Sequence, residues 1–137
     1  MNIAVIGTGM VGRLIAVELS KKYQVYAIDN NTTNLNILKK LNSNIITKKI
    51  DVENEDFLES LEDTEIIVNC VPGFMGFETS KKILEKKTCV DISFMPEDCN
   101  ELKNITDEAK TALYPDAGVA PGLSNMIVGN LISNNNL

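Results

Sequence analysis

A glycine motif at residues 7–12, with the sequence GTGMVG, stands between two different hydrophobic patterns. The continuous apolar run at 3–6 is typical of a strand buried on both faces. Apolar residues then recur at 11, 14, 15 and 19, which is helical spacing. The glycines therefore lie in a strand-to-helix turn, where the free N–H groups of a helix N-terminus bind phosphate. The motif predicts a dinucleotide site that includes Gly7, Thr8, Gly9, Met10 and Val11.

The second informative position is Asp29, which ends a predicted second strand at 24–28 and follows Gly7 by 22 residues. A carboxylate about 20 residues after the glycines accepts hydrogen bonds from the adenosine ribose and repels a 2′-phosphate. Residues 30–34, beginning with Asn30, contain no Lys or Arg. This pattern favours NAD over NADP. The alternative role for Asp29 is to cap a helix that begins near Thr33.

Strand and helix patterns alternate along the whole chain. Further strands are predicted at 44–47, 65–70, 88–92 and 112–115, and helices at 35–41, 55–61, 77–86 and 96–112. Parallel neighbours need crossover connections, so this alternation predicts a doubly wound parallel α/β sheet of the Rossmann type. The predicted strand order is 3-2-1-4-5-6. We expect residues 1–121 to form the dinucleotide-binding domain and residues 122–137 to form a crossover helix toward a catalytic or substrate domain.

The carboxyl ends of the strands supply the remaining candidate residues, because ligands bind where the strand order reverses. The cofactor-binding candidates beyond the glycine motif and Asp29 are Asn30, Asp51, Val52, Cys70, Val71 and Pro72. The candidates on the substrate side are Asp91, Ser93, Asp116 and Gly118. Simpler roles are a turn residue for Asp116 and a cap of strand 5 for Ser93.

Composition excludes several kinds of chemistry. The 137 residues include no histidine, so a histidine base, a Ser-His-Asp triad and a histidine-containing metal site are excluded. The three scattered cysteines lack metal-ligand spacing, so we expect no metal, and their odd number indicates a reducing, cytoplasmic location. The net charge of −6 argues against nucleic acid or an anionic membrane as partner. No apolar run approaches the length of a membrane span.

Four segments together resemble a known family. Residues 5–13, 69–73, 90–94 and 116–125 are similar to the nucleotide-binding N-terminal domain of the saccharopine dehydrogenase family, most closely its lysine 6-dehydrogenase-like members. The last segment is the most specific of the four. The resemblance implies a nicotinamide-dependent oxidoreductase that acts on a carbon–nitrogen bond of a small amino-acid substrate. It also implies that residues 116–125 match the family's crossover beside the active cleft.

The chain departs from this family after the crossover, where family enzymes carry a substrate-binding domain. Residues Leu123, Met126, Ile127 and Leu131 are predicted to form one apolar helix face that needs a cover. We expect the second domain, or a second copy in a homodimer, to provide it. We therefore expect the chain alone to bind dinucleotide without turnover.

Two other classes of function stay open at this level. One is a stand-alone regulatory nucleotide-sensing module of the potassium-transport type, which shares the glycine loop and the acidic residue after strand 2. The other is an interaction scaffold with a degenerate site. The segments at 71–73 and 121–125 favour the oxidoreductase domain, because a sensing module has no reason to carry them.

Overall fold

The computed structural model describes residues 1–135, which form a six-stranded parallel sheet in the order β3-β2-β1-β4-β5-β6. The strands are β1 (Asn2–Ile6), β2 (Gln24–Asp29), β3 (Ile46–Lys49), β4 (Ile66–Asn69), β5 (Thr88–Asp91) and β6 (Leu113–Tyr114). The helices are α1 (Met10–Leu19), α2 (Thr32–Leu41), α3 (Gly73–Leu84), α4 (Lys103–Ala109) and α5 (Leu123–Asn135). The predicted fold class and strand order are confirmed. The last two residues of the predicted 122–137 segment lie outside the described residues.

Hydrophobic side chains cover both faces of this sheet, as a parallel sheet requires. On one face Val5, Val25 and Ala27 pack with Ala16 of α1 and Leu38 of α2. On the other face the alternate strand residues pack against α3 and the segments around it; this cluster includes Ile6, Ile28, Ile67, Phe57, Ile83, Leu84 and Leu102. The interiors of the central strands β1 and β4 are therefore buried, whereas the edge strands β3 and β6 are partly exposed. The polar groups of the central strands can meet a ligand at the carboxyl edge of the sheet.

The third strand lies two residues later than predicted, at Ile46–Lys49 rather than 44–47. Asn44 is drawn into a turn, because its N–H donates to Oδ1 of Asn42. Lys48 and Lys49 extend the strand instead, and Lys48 places its ammonium 5.1 Å from the centre of the Tyr26 ring. Lysines on an edge strand commonly prevent that strand from pairing with a strand of another molecule.

Helix α3 begins at Gly73, four residues before the predicted start at 77. Pro72 is its N-cap, and proline is well suited to the start of a helix. The prediction treated Pro72 and Gly73 only as the end of the preceding strand. Gly73 and Gly76 lower helix propensity, but they allow the loop after β5 to pack against the first turn of α3.

Two further predicted helices are shorter and less regular than expected. The predicted helix at 55–61 is a pair of 3₁₀ turns, Glu55–Phe57 and Glu59–Leu61. The predicted helix at 96–112 begins as a 3₁₀ turn at Cys99 and becomes α4, which ends at the left-handed residue Lys110. Asp98 caps that turn by accepting the N–H of Asn100.

The final helix, α5, exposes most of its apolar side chains. The predicted face is present, and Val128 and Ile132 are exposed beside it, so the apolar surface is broader than one face. The exposed fractions of Met126, Val128 and Ile132 are 72%, 55% and 46%. Of the helices within residues 1–135, none is long and apolar enough to cross a membrane.

Candidate functional site

The three glycines of the loop between β1 and α1 have different surroundings. Gly7 has a φ of +82°, and a Cβ there would lie 2.7 Å from the carbonyl oxygen of Cys70, so only glycine fits. A Cβ on Gly12 would overlap the carbonyl oxygen of Gly7, which shows how closely α1 packs on the strands. A Cβ on Gly9 would meet no protein atom within 4 Å. The fold therefore needs Gly7 and Gly12, whereas Gly9 faces open space.

The open space is a cavity of about 540 Å³ at the carboxyl ends of β1, β2 and β4. A volume of this size is typical of a small-molecule site. Eleven of the twelve predicted cofactor residues line it, and they are Gly7, Gly9, Met10, Val11, Asp29, Asn30, Asp51, Val52, Cys70, Val71 and Pro72. The sequence thus located the cavity, while cofactor contact by these residues stays a prediction.

Thr8 is the exception among the twelve. Its exposed fraction is 0%, and it does not line the cavity. Its N–H donates to Oδ2 of Asp29 at 2.7 Å, and its hydroxyl donates to the same oxygen at 2.9 Å. The geometry therefore corrects the expectation for Thr8, because neither donor is available to a pyrophosphate. Thr8 instead ties the glycine loop to the end of β2.

Asp29 has more internal partners than a free ribose-binding carboxylate needs. Besides Thr8, its Oδ2 accepts from the side chain of Asn34 at 3.2 Å, and its Oδ1 accepts the N–H of Asn31 at 2.7 Å. The alternative role as helix cap is not supported, because Asn31 is the N-cap of α2 and accepts the N–H of Thr33. Asp29 still lines the cavity, and Oδ1 retains a lone pair for a further donor.

A second carboxylate, Asp51, lies on the far side of the cavity beyond β3. Its Oδ2 accepts the side-chain N–H of Asn30 at 2.9 Å. This hydrogen bond, followed by one from the N–H of Glu53, lowers the pKa of Asp51 below its ordinary value. The pair joins the loops after β2 and β3 at the edge where an adenosine would lie.

A second cavity of about 380 Å³ adjoins the first and shares Val11, Cys70 and Val71 with it. Three of the predicted substrate-side residues, Ser93, Asp116 and Gly118, are in its lining. Phe94 and Asp116 both have positive φ values, 60° and 54°. Non-glycine residues in this conformation are uncommon and often mark ligand sites.

Asp91, the fourth substrate-side candidate, faces the interior and does not line the cavity. Its exposed fraction is 1%. Four donors use its two oxygens: the Asn69 amide and the Ser80 hydroxyl on Oδ2, and the N–H and hydroxyl of Ser93 on Oδ1. The expectation of substrate contact is therefore corrected for this residue.

The cysteines beside the site are thiols rather than thiolates. Burial, followed by the charge of Asp91, raises the pKa of Cys70 to about 12, and burial also raises that of Cys89 to about 12. Neither thiol is activated as a nucleophile or as a base at neutral pH. Among the described residues no group of Cys, Asp and Glu side chains could hold a metal ion.

Sequence reasoning missed several residues at the site. Asn31 and Asn34 line the first cavity, and Phe94 lines the second. Lys49 lines neither cavity, but it is the last residue of β3 and lies beyond the predicted strand end at 47. The sheet register pairs Lys49 with Asp29, so an exposed ammonium group lies one strand away from this carboxylate. The signal that could have revealed it is the order 3-2-1, which makes β3 the neighbour of β2.

The glycine loop fits a dinucleotide. Helix α1 begins at Met10 with Gly9 as N-cap, so the first turn offers free N–H groups to an anion. The open space above Gly9 allows that anion to approach the backbone closely. The adjoining cavities then provide two compartments that share Val11, Cys70 and Val71.

Comparisons with known proteins agree with this geometry. The model of the saccharopine dehydrogenase NADP binding domain family matches residues 3–119. Saccharopine dehydrogenase (L-Glu forming) from Saccharomyces cerevisiae matches with a TM-score of 0.85 at 20% identity, over 97% of this chain and 31% of its own. Shikimate dehydrogenase from Mycobacterium tuberculosis matches with a TM-score of 0.65 at 14% identity, over 89% and 46%. No curated protein sequence matches the chain.

An imine reductase from Pseudomonas also shares the fold, with a TM-score of 0.56 at 16% identity, over 82% of this chain and 39% of its own. The chain spans less than half the length of each of these three structures. Neither the family match nor the structural neighbours support the potassium-transport alternative. The chain belongs to the saccharopine dehydrogenase NADP binding domain family and is a nicotinamide-dinucleotide-binding domain of the oxidoreductase type.

Proposed function

We propose that this chain is the cofactor-binding part of an oxidoreductase that acts on a carbon–nitrogen bond of a small amino-acid substrate. The observation that carries the proposal is the pair of adjoining cavities on either side of Val11, Cys70 and Val71. A dinucleotide has two ends of different chemistry. The first cavity suits the adenosine end, and the second suits the nicotinamide end.

The polar groups of the first cavity support this assignment. Asp29, Asn30 and Asp51 lie at the ends of β2 and β3, where a ribose hydroxyl needs acceptors. The N-terminus of α1 would hold the pyrophosphate above Gly9. A bound nicotinamide would supply hydride transfer to or from the substrate carbon that carries nitrogen.

The substrate class is proposed from the family and from the second cavity. The yeast relative is a saccharopine dehydrogenase, and a structural neighbour is an imine reductase. Oxidation of an amine carbon gives an imine, which water then hydrolyses. Asp116 is exposed at the rim of the second cavity and is the residue there that could pair with a substrate ammonium group.

We propose that NAD is favoured over NADP. No Lys or Arg nitrogen among the described residues lies within 4 Å of the Asp29 carboxylate, so its negative charge has no ion-pair partner to offset repulsion of a 2′-phosphate. Residues 30–34 add no cation. The family description names NADP, and Lys49 is the group that would favour NADP here.

The substrate domain is the remaining part of the proposal. The yeast relative is about three times the length of this chain, and the exposed apolar side chains of α5 begin directly after the second cavity. We propose that a second domain covers α5 and completes the substrate site. A homodimer formed through α5 is the second candidate. The three free cysteines support a reducing, cytoplasmic location.

Calorimetric titration of the chain with NAD⁺, NADH, NADP⁺ and NADPH tests the cofactor assignment. We expect saturable binding, with NAD(H) bound at least tenfold more tightly. Absence of binding for all four would refute the assignment, and tighter binding of NADP(H) would refute the preference alone. A second assay incubates the chain and NAD⁺ with lysine or saccharopine. We expect no NADH to form, because the substrate domain would be needed.

A further inference from the structure

The walls of the second cavity come from three separate loops, and one buried residue is linked to all of them by hydrogen bonds, either directly or through a neighbour. These loops follow β4, β5 and β6 and include Val71, Ser93 with Phe94, and Asp116 with Gly118. Asp91 lies behind them at the end of β5. Asp91 is one of the four residues predicted to contact substrate, but its carboxylate is buried in the structure.

The side chain of Asp91 bonds directly to the Ser93 loop and is linked to the Val71 loop through Asn69. Oδ2 accepts from the Asn69 side chain at 2.8 Å, and Oδ1 of Asn69 in turn accepts the N–H of Val71 at 3.4 Å. Oδ1 of Asp91 accepts both the N–H and the hydroxyl of Ser93, each at 2.8 Å. Its backbone carbonyl accepts the N–H of Ala117 at 2.9 Å, which holds the third loop.

Two glycines of α3 also pack closely against the turn formed by Ser93 and Phe94. A Cβ on Gly73 would lie 2.7 Å from the carbonyl oxygen of Phe94, and a Cβ on Gly76 would overlap the hydroxyl of Ser93. The turn is therefore held between two glycines of α3 and the Asp91 carboxylate. This support keeps Phe94 in a left-handed conformation, with 68% of the residue exposed at the cavity.

We propose that Asp91 is a positioning residue for the nicotinamide end of the cofactor. Two of its four hydrogen bonds hold the wall formed by Ser93 and Phe94, the other two anchor the carboxylate to Asn69 and Ser80, and that wall determines where the ring lies. The adenosine side should depend on Asp91 much less, because Asp91 is absent from the first cavity and is linked to it only through Asn69 and Val71. The inference rests on the proposed function, since it assigns the second cavity to the nicotinamide.

The test compares NADH with ADP-ribose, which lacks the nicotinamide ring, by calorimetry on the full chain. Asp91→Asn places an amide donor where a carboxylate oxygen accepted, so we expect the ratio of NADH affinity to ADP-ribose affinity to fall about tenfold. Ser93→Ala removes one of the four bonds, and we expect the ratio to fall about threefold. Asp107→Asn makes the same chemical change on the exposed surface of α4 and should leave the ratio unchanged.

The ratio separates positioning from general loss of structure, because partial unfolding would weaken both ligands equally. An unchanged ratio in Ser93→Ala and in Asp91→Asn would overturn the inference, as would equal binding of NADH and ADP-ribose by the unmodified chain. If Asp91→Asn does not fold, Ser93→Ala decides. If the unmodified chain binds neither ligand, the proposed function itself fails, and the inference fails with it.

Discussion

The Asp29 carboxylate accepts the backbone N–H of Thr8 at 2.7 Å, and this hydrogen bond joins the end of β2 to the glycine loop. The two residues are 21 apart in sequence, and both are buried. An acidic residue at this position is usually assigned to the cofactor. In this chain it also maintains the loop that would bind the pyrophosphate.

We therefore expect Asp29→Ala to lower the free energy of unfolding as well as to affect binding. The N–H and hydroxyl of Thr8 would both lose their acceptor in a site without solvent access, which costs about 2 kcal/mol. Urea unfolding measures the change. Asp51→Ala is the matched control, because the hydrogen bonds of Asp51 are exposed, and its loss should be below about 1 kcal/mol. Equal losses in both variants would refute this role.

Two glycines of the loop have different roles: the fold requires Gly12, whereas we expect dinucleotide binding to require Gly9. Gly9→Val should leave the melting temperature nearly unchanged, since a Cβ there meets no protein atom within 4 Å. The same variant should abolish dinucleotide binding, because its side chain occupies the space above the N-terminus of α1. Differential scanning calorimetry and titration with NADH measure the two effects.

Gly12→Ala is the opposite case and serves as the control. Its Cβ would overlap the carbonyl oxygen of Gly7, and relieving that overlap should cost about 1–3 kcal/mol of stability. Binding of NADH by Gly9→Val at the affinity of the unmodified chain would mean that the loop is not the phosphate site.

The fold could be predicted well from the sequence because the strongest sequence patterns are local. The buried runs at β1, β4 and β5 and the glycine motif identify strand ends directly, and the strand ends determine the cavity. Side-chain roles were less predictable, since they depend on neighbours that are distant in sequence. Asp91 was predicted to face the substrate from the end of strand 5, whereas Asn69 and Ser80 hold its carboxylate in the interior. Lys49 became relevant only because β3 extends two residues beyond the predicted strand end at 47, which pairs Lys49 with Asp29.

The position of Lys49 leads to a prediction about NADP. If a 2′-phosphate is accommodated, this ammonium group is the cation that the register places beside Asp29. Lys49→Met should weaken NADPH binding about fivefold, the effect of an exposed ion pair, and should leave NADH unchanged. Lys40→Met removes the same charge from the far end of α2 and should change neither. A loss of NADH affinity equal to that of NADPH would contradict a role in phosphate recognition.

The exposed apolar side chains of α5 predict concentration-dependent association of the isolated chain. Replacing Met126 and Ile132 by serine should reduce self-association, measured by light scattering over a range of protein concentrations. The melting temperature of the domain should change little, because both side chains are about half exposed or more in the structure. A large fall in melting temperature would instead show that α5 packs on the domain in solution.

The thiols of Cys70, which is half-buried, and Cys89, which is buried, predict loss of stability at alkaline pH. The pKa values of Cys70 and Cys89 rise from 9.0 to about 12 on folding. A pKa that is raised on folding contributes stability that is fully present below pH 9 and is lost as the pH rises toward 12. At pH 10 ionisation of the unfolded chain should remove between about 1 and 2 kcal/mol for each thiol. We expect the fall in the free energy of unfolding between pH 8 and pH 10, measured by urea titration, to be about 3 kcal/mol smaller in the Cys70→Ala, Cys89→Ala double variant.

This difference between the double variant and the unmodified chain isolates the thiols, because lysine and tyrosine side chains titrate alike in both proteins. An identical pH dependence would mean that water reaches both thiols in the folded state.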